Sequence, residues 1–150
     1  MNLNALSKAQ PWGLTILRIV TGFVFFMHGY QKITEFGVAG FSGFLGQLGV
    51  PVSGVAAVIV IAVELLGGLA LILGLGTRLV SIALAVNIFV ALVLVHLPAG
   101  FFATDGGYEF VLTLFAACVA LVLSGGGALA LDNLLPSRGT AARRATPDLA

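Results

Sequence analysis

Residues 52–76 form an apolar run in which one residue, Glu64, can carry a charge, and twelve residues lie on each side of it. As an α-helix, which rises about 1.5 Å per residue, the run is long enough to cross the hydrocarbon core of a bilayer. The carboxylate would then lie near the midplane, where a lone acid costs about 2.5–3.5 kcal/mol. We therefore predict that Glu64 faces the interior of a helical bundle and has a polar partner.

The composition is typical of an integral membrane protein. Hydrophobic residues make up 59% of the 150 residues and charged residues only 9%, whereas soluble domains carry about 25% charged residues. The sequence has neither a metal-ligating spacing such as CxxC or HExxH nor a basic soluble face. We therefore expect no metal site and no nucleic-acid partner.

Four apolar segments have about the length of a membrane span, and they cover residues 12–33, 52–75, 79–97 and 108–123. Within lipid, each segment must satisfy its own backbone hydrogen bonds, so helices are expected rather than open strands. The fold class predicted is an all-α membrane protein: one domain, residues 1–135, built as a bundle of four transmembrane helices.

The distribution of basic residues predicts the orientation. One side of the predicted bundle carries Lys8, Arg78, Arg138, Arg143 and Arg144, and the other carries only Lys32. The positive-inside rule then places both termini in the cytoplasm. Residues 136–150 are polar and alanine-rich, which predicts a disordered cytoplasmic tail.

The connection at 34–51 has two interpretations. Phe41, Phe44, Leu45 and Leu48 follow helical spacing and form an apolar stripe, which favours a short interfacial helix on the outer leaflet or folded back over the bundle mouth. Glycine at every third position lowers helix propensity and allows a flexible loop instead. We predict the helix, because only a helix buries the stripe.

The buried polar residues separate by predicted depth into two clusters. The intramembrane cluster contains Arg18, Glu64 and Asn87, and we predict an Arg18–Glu64 ion pair with Asn87 as a hydrogen-bond partner of Glu64. An intramembrane ionisable group is a functional-site hypothesis by default. The alternative is a pair that only fixes the register of the helices.

The second cluster lies at the predicted outer mouth and contains His28, Gln31, Lys32, His96, Tyr108 and Glu109. We predict an ion pair between Lys32 and Glu109. The alternative for Lys32 is snorkelling to the lipid headgroups. His28 and His96 share a depth that would allow haem ligation, but hydrogen bonding is the more common role of such histidines and is what we expect.

Aromatic residues give one indication of a ligand. A set of phenylalanines can pack against lipid and neighbouring helices, or it can line a slot for a flat ring such as a quinone. The set is Phe23, Phe25, Phe26, Phe101 and Phe102. Cys118 is the single cysteine and lies in an apolar stretch, so we expect it to be inert packing.

Several short motifs follow one another along the chain at residues 17–19 with Gly22, 28–32, 64–68 with 74–78, 107–109, and 125–127 with 131–132. Their order and spacing together resemble those of the DoxX family. The family's Gly-Pro-Gly pattern is altered here, where Gly126 and Ala128 stand in its place. The resemblance implies a small four-helix inner-membrane protein.

The resemblance also implies a set of functions. Some DoxX relatives are subunits of membrane oxidoreductases, including thiosulfate:quinone oxidoreductase and terminal quinol oxidase complexes, and distant ones act in protein maturation. We therefore predict an accessory or quinone-interacting subunit with a redox partner, which does not catalyse a reaction alone. The alternative is a non-enzymatic scaffold, chaperone or small-solute carrier. A second copy of this chain, in a homo-oligomer, is a further candidate partner.

Overall fold

The computed structural model describes residues 3–135, and these form helices and connecting turns without a β-strand. The five α-helices are α1, Leu3–Gln31; α2, Gly37–Gln47; α3, Ser53–Leu73; α4, Thr77–Ala91; and α5, Glu109–Ser124. Two π-helical segments, Lys32–Phe36 and Leu92–His96, extend α1 and α4. Short 3₁₀ turns complete the fold at Leu97–Ala99, Ala103–Asp105 and Leu131–Leu134. The predicted all-helical class is confirmed, and the predicted tail at 136–150 lies outside the described residues.

Three helical stretches are long and apolar enough to cross a membrane by length and composition. They are Ser7–Gln47, Ser53–Leu73 and Thr77–Ala99. Helix α5 is equally apolar but has 16 residues, fewer than the roughly 20 that a perpendicular span requires. The division into four membrane spans therefore stays a prediction.

Helices α1 and α3 pack as an antiparallel pair whose backbones nearly touch. A Cβ atom added at Gly22 would lie 2.7 Å from the carbonyl oxygen of Gly68, and one added at Gly29 would lie 2.9 Å from the backbone nitrogen of Leu65. Small residues allow such close approach between membrane helices. These contacts fix the axial register of the pair and place Gly29 beside Glu64.

The main hydrophobic core lies where α4 and α5 pack against the α1–α3 pair. Its buried side chains are Phe25, Leu71, Leu84, Ala85, Ile88, Val111, Leu114, Cys118 and Leu121. Cys118 is fully buried in this core, as expected for a packing residue.

Helix α2 folds back against α3, so the helical interpretation of the 34–51 connection is confirmed. Gly37 has a φ of 67°, a value that glycine adopts without strain, and it turns the chain between the π-helical segment and α2. Phe41 is buried against Ala57 and Ile61 of α3. Phe44 differs from the predicted stripe because it is 43% exposed.

Candidate functional site

Glu64 lies at the centre of a network that satisfies both oxygens of its carboxylate. Lys32 Nζ is 2.6 Å from Oε2, and the Asn87 amide donates a hydrogen bond of 3.0 Å to Oε1. The Glu64 side chain is 6% exposed and that of Lys32 is 17% exposed. The expected hydrogen bond between Asn87 and Glu64 is present, and the polar partner required by the burial of this acid is Lys32.

Both predicted ion pairs are wrong, for geometric reasons. Arg18 does not pair with Glu64, because the close α1–α3 packing sets Gly29 at the level of Glu64. Gly29 follows Arg18 by eleven positions in the same helix, which corresponds to about 16 Å along the helix axis. Glu109 does not pair with Lys32; it accepts a hydrogen bond of 2.7 Å from the backbone nitrogen of Ala103 and closes its own loop.

Arg18 instead binds backbone carbonyl groups at the opposite end of α3. Its guanidinium donates to the carbonyl oxygens of Leu71, of Ile72 at 2.8 Å, of Gly126 at 2.8 Å and of Leu129 at 3.1 Å. The first two belong to the last turn of α3, where carbonyl groups lack the usual i+4 helical donor, although Leu71 also accepts a hydrogen bond of 3.0 Å from the backbone nitrogen of Gly74. Arg18 is 1% exposed. It donates hydrogen bonds to carbonyl groups at the end of α3 and also to the loop that follows α5.

Asp132 completes this end of the bundle by capping α4. Its carboxylate accepts hydrogen bonds from the backbone nitrogens of Gly76 at 2.6 Å and Thr77 at 2.8 Å, which stand at the start of α4. Burial alone would raise the pKa of Asp132, but these backbone hydrogen bonds and the nearby charge of Arg18 outweigh it and lower the pKa. We call Arg18, Asp132 and residues 125–130 the Arg18 cluster.

A cavity of about 550 Å³ is lined in part by Glu64, and we call it the Glu64 cavity. Its walls come from the end of α1, from α2, α3 and α4, and from both π-helical segments. Three aromatic side chains, Phe36, Phe41 and Phe44, lie along these walls. Lys32 Nζ is 5.4 Å from the centre of the Phe41 ring, within the range of a cation–π contact.

The polar residues of the two predicted clusters meet largely in this one cavity. Those that line it are His28, Gln31, Lys32, Glu64, Asn87 and His96. His96 Nδ1 lies 2.7 Å from the carbonyl oxygen of Gly106, which can only accept, so this nitrogen carries a proton. Of the predicted members, Arg18, Tyr108 and Glu109 lie elsewhere, and Tyr108 packs edge-on against Phe101.

The aromatic lining of the cavity differs from the set considered in the sequence. Phe25 is part of the hydrophobic core, Phe23 is exposed, and Phe101 and Phe102 contact each other edge to face. The three lining rings come instead from 36–44, where only the amphipathic spacing was visible in the sequence.

The π-helical segments are a feature that the sequence did not predict. Both of those found in the described residues flank the Glu64 cavity, which Lys32 and Phe36 line from the first and Leu94, Val95 and His96 from the second. Such wide turns occur frequently at functional sites. Here they coincide with the cavity that contains the Lys32–Glu64 ion pair.

Comparison with known proteins gives a consistent family assignment. The DoxX family model matches residues 13–97. A Bacillus subtilis protein named "Putative oxidoreductase CatD" is 35% identical, with 85% of this chain and 90% of that protein aligned. An uncharacterised Haemophilus influenzae protein is 37% identical over 87% of this chain and 96% of its own length. The Escherichia coli "Inner membrane protein YqjF" is 30% identical over 87% and 97%. No solved structure matches the chain.

Proposed function

This chain belongs to the DoxX family of membrane proteins, and we propose that it is a subunit of a membrane oxidoreductase that binds a quinone in the Glu64 cavity. The observation that carries the proposal is the convergence of Lys32, Glu64 and Asn87 on one largely apolar cavity. Small-molecule sites typically enclose about 300–1,000 Å³ and combine apolar walls with a few placed polar groups. The name of the Bacillus subtilis relative points to the same reaction class.

The donors of the cavity suit a quinone carbonyl oxygen. The Lys32 ammonium has three N–H donors and the Asn87 amide has two, and Glu64 accepts one hydrogen bond from each. Further donors could therefore bind a carbonyl oxygen while the Glu64 network stays closed. Phe36 and Phe41 offer aromatic surface to a flat ring.

The residues of the chain would bind, orient and exchange protons. A bound quinone supplies two-electron, two-proton redox chemistry. Lys32 and Asn87 would orient its polar end, and the apolar walls would exclude water. Glu64 is the carboxylate that can hold a proton beside it, and a redox partner subunit would provide the electron path.

Photolabelling tests the binding site directly. An azidoquinone should label peptides from residues 36–48 and 90–96, and excess decylubiquinone should suppress the labelling. Lys32→Met should reduce the specific labelling on the order of tenfold, because a hydrogen bond from a charged donor is worth about 1.5–3 kcal/mol. Lys8→Met removes an exposed lysine of α1 as the matched control. Equal labelling of wild type and Lys32→Met would contradict the proposed site.

Native mass spectrometry tests the proposed assembly. The protein, gently extracted from its own membrane, should retain a second subunit with a redox group. A homo-oligomer that carries lipid alone would contradict the oxidoreductase role.

A non-enzymatic scaffold or small-solute carrier is the second candidate. The closed Lys32–Glu64–Asn87 network favours it, since every oxygen of the carboxylate is satisfied without a ligand. For a scaffold, simultaneous Lys32→Met and Glu64→Gln substitution should leave cellular function intact, as for some buried ion pairs elsewhere. Loss of function in a stably folded double variant would exclude it.

A further inference from the structure

Lys32 occupies a position in the Glu64 cavity that has the components of a cation-binding site. Its ammonium is 2.6 Å from the Glu64 carboxylate and 5.4 Å from the centre of the Phe41 ring. A carboxylate and an aromatic face together are the groups that recognise organic ammonium ions. We propose that the Glu64 cavity binds lipophilic monovalent cations, which displace the Lys32 ammonium from Glu64. This ligand class is separate from quinones and does not depend on the quinone proposal.

The Lys32 ammonium is positioned so that it can move away from Glu64. It is held by a flexible four-carbon stem, and its side chain is 17% exposed whereas that of Glu64 is 6% exposed. Lys32 can therefore move toward the mouth of the cavity while the carboxylate stays in place. The lysine ammonium is also strongly hydrated, and regains water when it moves outward. A lipophilic cation loses little hydration on entry, which favours the exchange.

The walls select the kind of cation. Glu64 is the one acid among the described residues that line the cavity, and most of the remaining lining is apolar. Calcium needs six to eight oxygen ligands and magnesium demands octahedral coordination, so neither finds enough oxygen atoms among these side chains. An organic cation with aromatic or alkyl groups can instead contact Phe36, Phe41 and Phe44. An organic anion would meet the Glu64 carboxylate and be disfavoured.

Lys32→Met provides the decisive experiment, because it removes the competing ammonium. Binding of methyltriphenylphosphonium to the purified full-length protein would be measured by equilibrium dialysis in detergent. We expect Lys32→Met to tighten binding on the order of tenfold and Glu64→Gln to weaken it at least about tenfold. Phe41→Leu should weaken it about threefold through loss of the cation–π contact. Glu64→Asp, which keeps the charge, should bind more tightly than Glu64→Gln.

1,1,1-Triphenylethane is the matched neutral ligand, with the same three rings and methyl group but neither a charge nor a hydrogen-bond acceptor. Its binding should be the same for wild type and each charge variant. Tighter binding of both compounds by Lys32→Met would show only a more apolar cavity and would overturn the proposal. Unchanged or weaker phosphonium binding by Lys32→Met would also overturn it. Misfolding would expose apolar surface and raise the binding of both compounds, so a gain for the phosphonium alone is decisive even if Glu64→Gln fails to fold.

The same variant separates the two ligand classes. A quinone loses a hydrogen-bond donor in Lys32→Met and should bind more weakly, whereas a cation loses a competitor and should bind more tightly. Tighter phosphonium binding with unaltered quinone labelling would support cation binding and reject the quinone site. Weaker quinone labelling with unaltered phosphonium binding would do the reverse.

Discussion

The Arg18 cluster and the Glu64 cavity each bury charge beside the same helix pair, but with different kinds of partner. Arg18 is surrounded by backbone carbonyl oxygens of α3 and of the loop after α5. Glu64 is bound by two side chains, Lys32 and Asn87, beside about 550 Å³ of open volume. Backbone partners cannot change without unwinding a helix end or moving a loop, whereas side-chain partners can exchange by rotating. We therefore expect the first region to contribute mainly to stability, and ligand exchange is what we propose for the second.

The Arg18 cluster also connects segments that are distant in the sequence. Asp132 caps the start of α4, and the Ala128 backbone nitrogen donates to the carbonyl oxygen of Pro11 in α1 at 3.0 Å. Asp132 also donates from its backbone nitrogen to the carbonyl oxygen of Gly74 at 2.9 Å, so the segment after α5 holds the turn between α3 and α4. Helix α2, which lines the Glu64 cavity, packs against α3 through the side chains of Phe41, Ala57 and Ile61.

The largest expected effect is at Arg18. Arg18→Met removes the donor for four carbonyl groups, and loss of one partner from a buried charged network typically costs about 3–5 kcal/mol. The measurement is thermal unfolding in detergent, followed by the reaction of a fluorogenic maleimide with Cys118, which is fully buried in the folded chain. Arg78→Met, which removes an exposed arginine near the start of α4, is the control. Equal midpoints for the two variants would refute the assignment of stability to the Arg18 cluster.

A smaller effect is expected at Lys32, and it should be reversible by a second substitution. Lys32→Met leaves Glu64 without its ammonium partner and should lower the free energy of unfolding by about 1–3 kcal/mol. Adding Glu64→Gln removes the unpaired charge and keeps an acceptor for Asn87, so the double variant should recover most of the loss. The same Cys118 assay measures both variants, with Lys8→Met as the control. Simple addition of the two single effects would show that the two side chains are not coupled.

The smallest expected effect is at Asp132 and depends on pH. Asp132→Asn should cost about 1 kcal/mol near neutral pH, because the charged cap at the start of α4 is weakened. The pKa of Asp132 is lowered in the folded state from its ordinary value of 3.8, so its contribution is complete above that value. It is lost as the pH falls through the lower, folded-state pKa.

The pH dependence of stability checks this sign. The difference between wild type and Asp132→Asn should be constant from about pH 5.5 upward and should shrink progressively below pH 3.8. Asp105→Asn, which removes an exposed acid, should show no comparable change. A difference that grows toward low pH would contradict the depressed pKa.

Much of the fold followed from local features of the sequence. The long apolar runs predicted helices, because hydrophobicity and backbone satisfaction in lipid depend on a segment by itself. The spacing of Phe41, Phe44, Leu45 and Leu48 predicted a helix in the 34–51 connection for the same reason. The π-helical segments were not predicted, since they alter the hydrogen-bonding pattern without altering the apolar composition.

The sequence analysis named the polar residues that line the Glu64 cavity, but it predicted few of the contacts between them. His28, Gln31, Lys32 and His96 were placed in one cluster, and all four line the Glu64 cavity. Asn87 was assigned to Glu64, and it donates a hydrogen bond to that carboxylate. The error was to place Lys32 and Glu64 in separate clusters, since helix positions alone leave the axial offset between neighbouring helices undefined. Asp132 was noted only as part of a family motif, because a cap that joins residues 132 and 76 has no local signal.

The sequence by itself determined that Glu64 must be buried and paired, because a lone carboxylate inside a long apolar helix is too costly to expose to lipid. Only the tertiary structure decided which cation pairs with it. Gly22, Gly29 and Gly68 bring α1 and α3 into backbone contact at one register, which places Lys32 within reach of Glu64 and holds Arg18 about 16 Å farther along the helix axis. That register is set by contacts between distant segments. It buries Arg18 among backbone carbonyl groups and places Glu64 in the wall of a cavity.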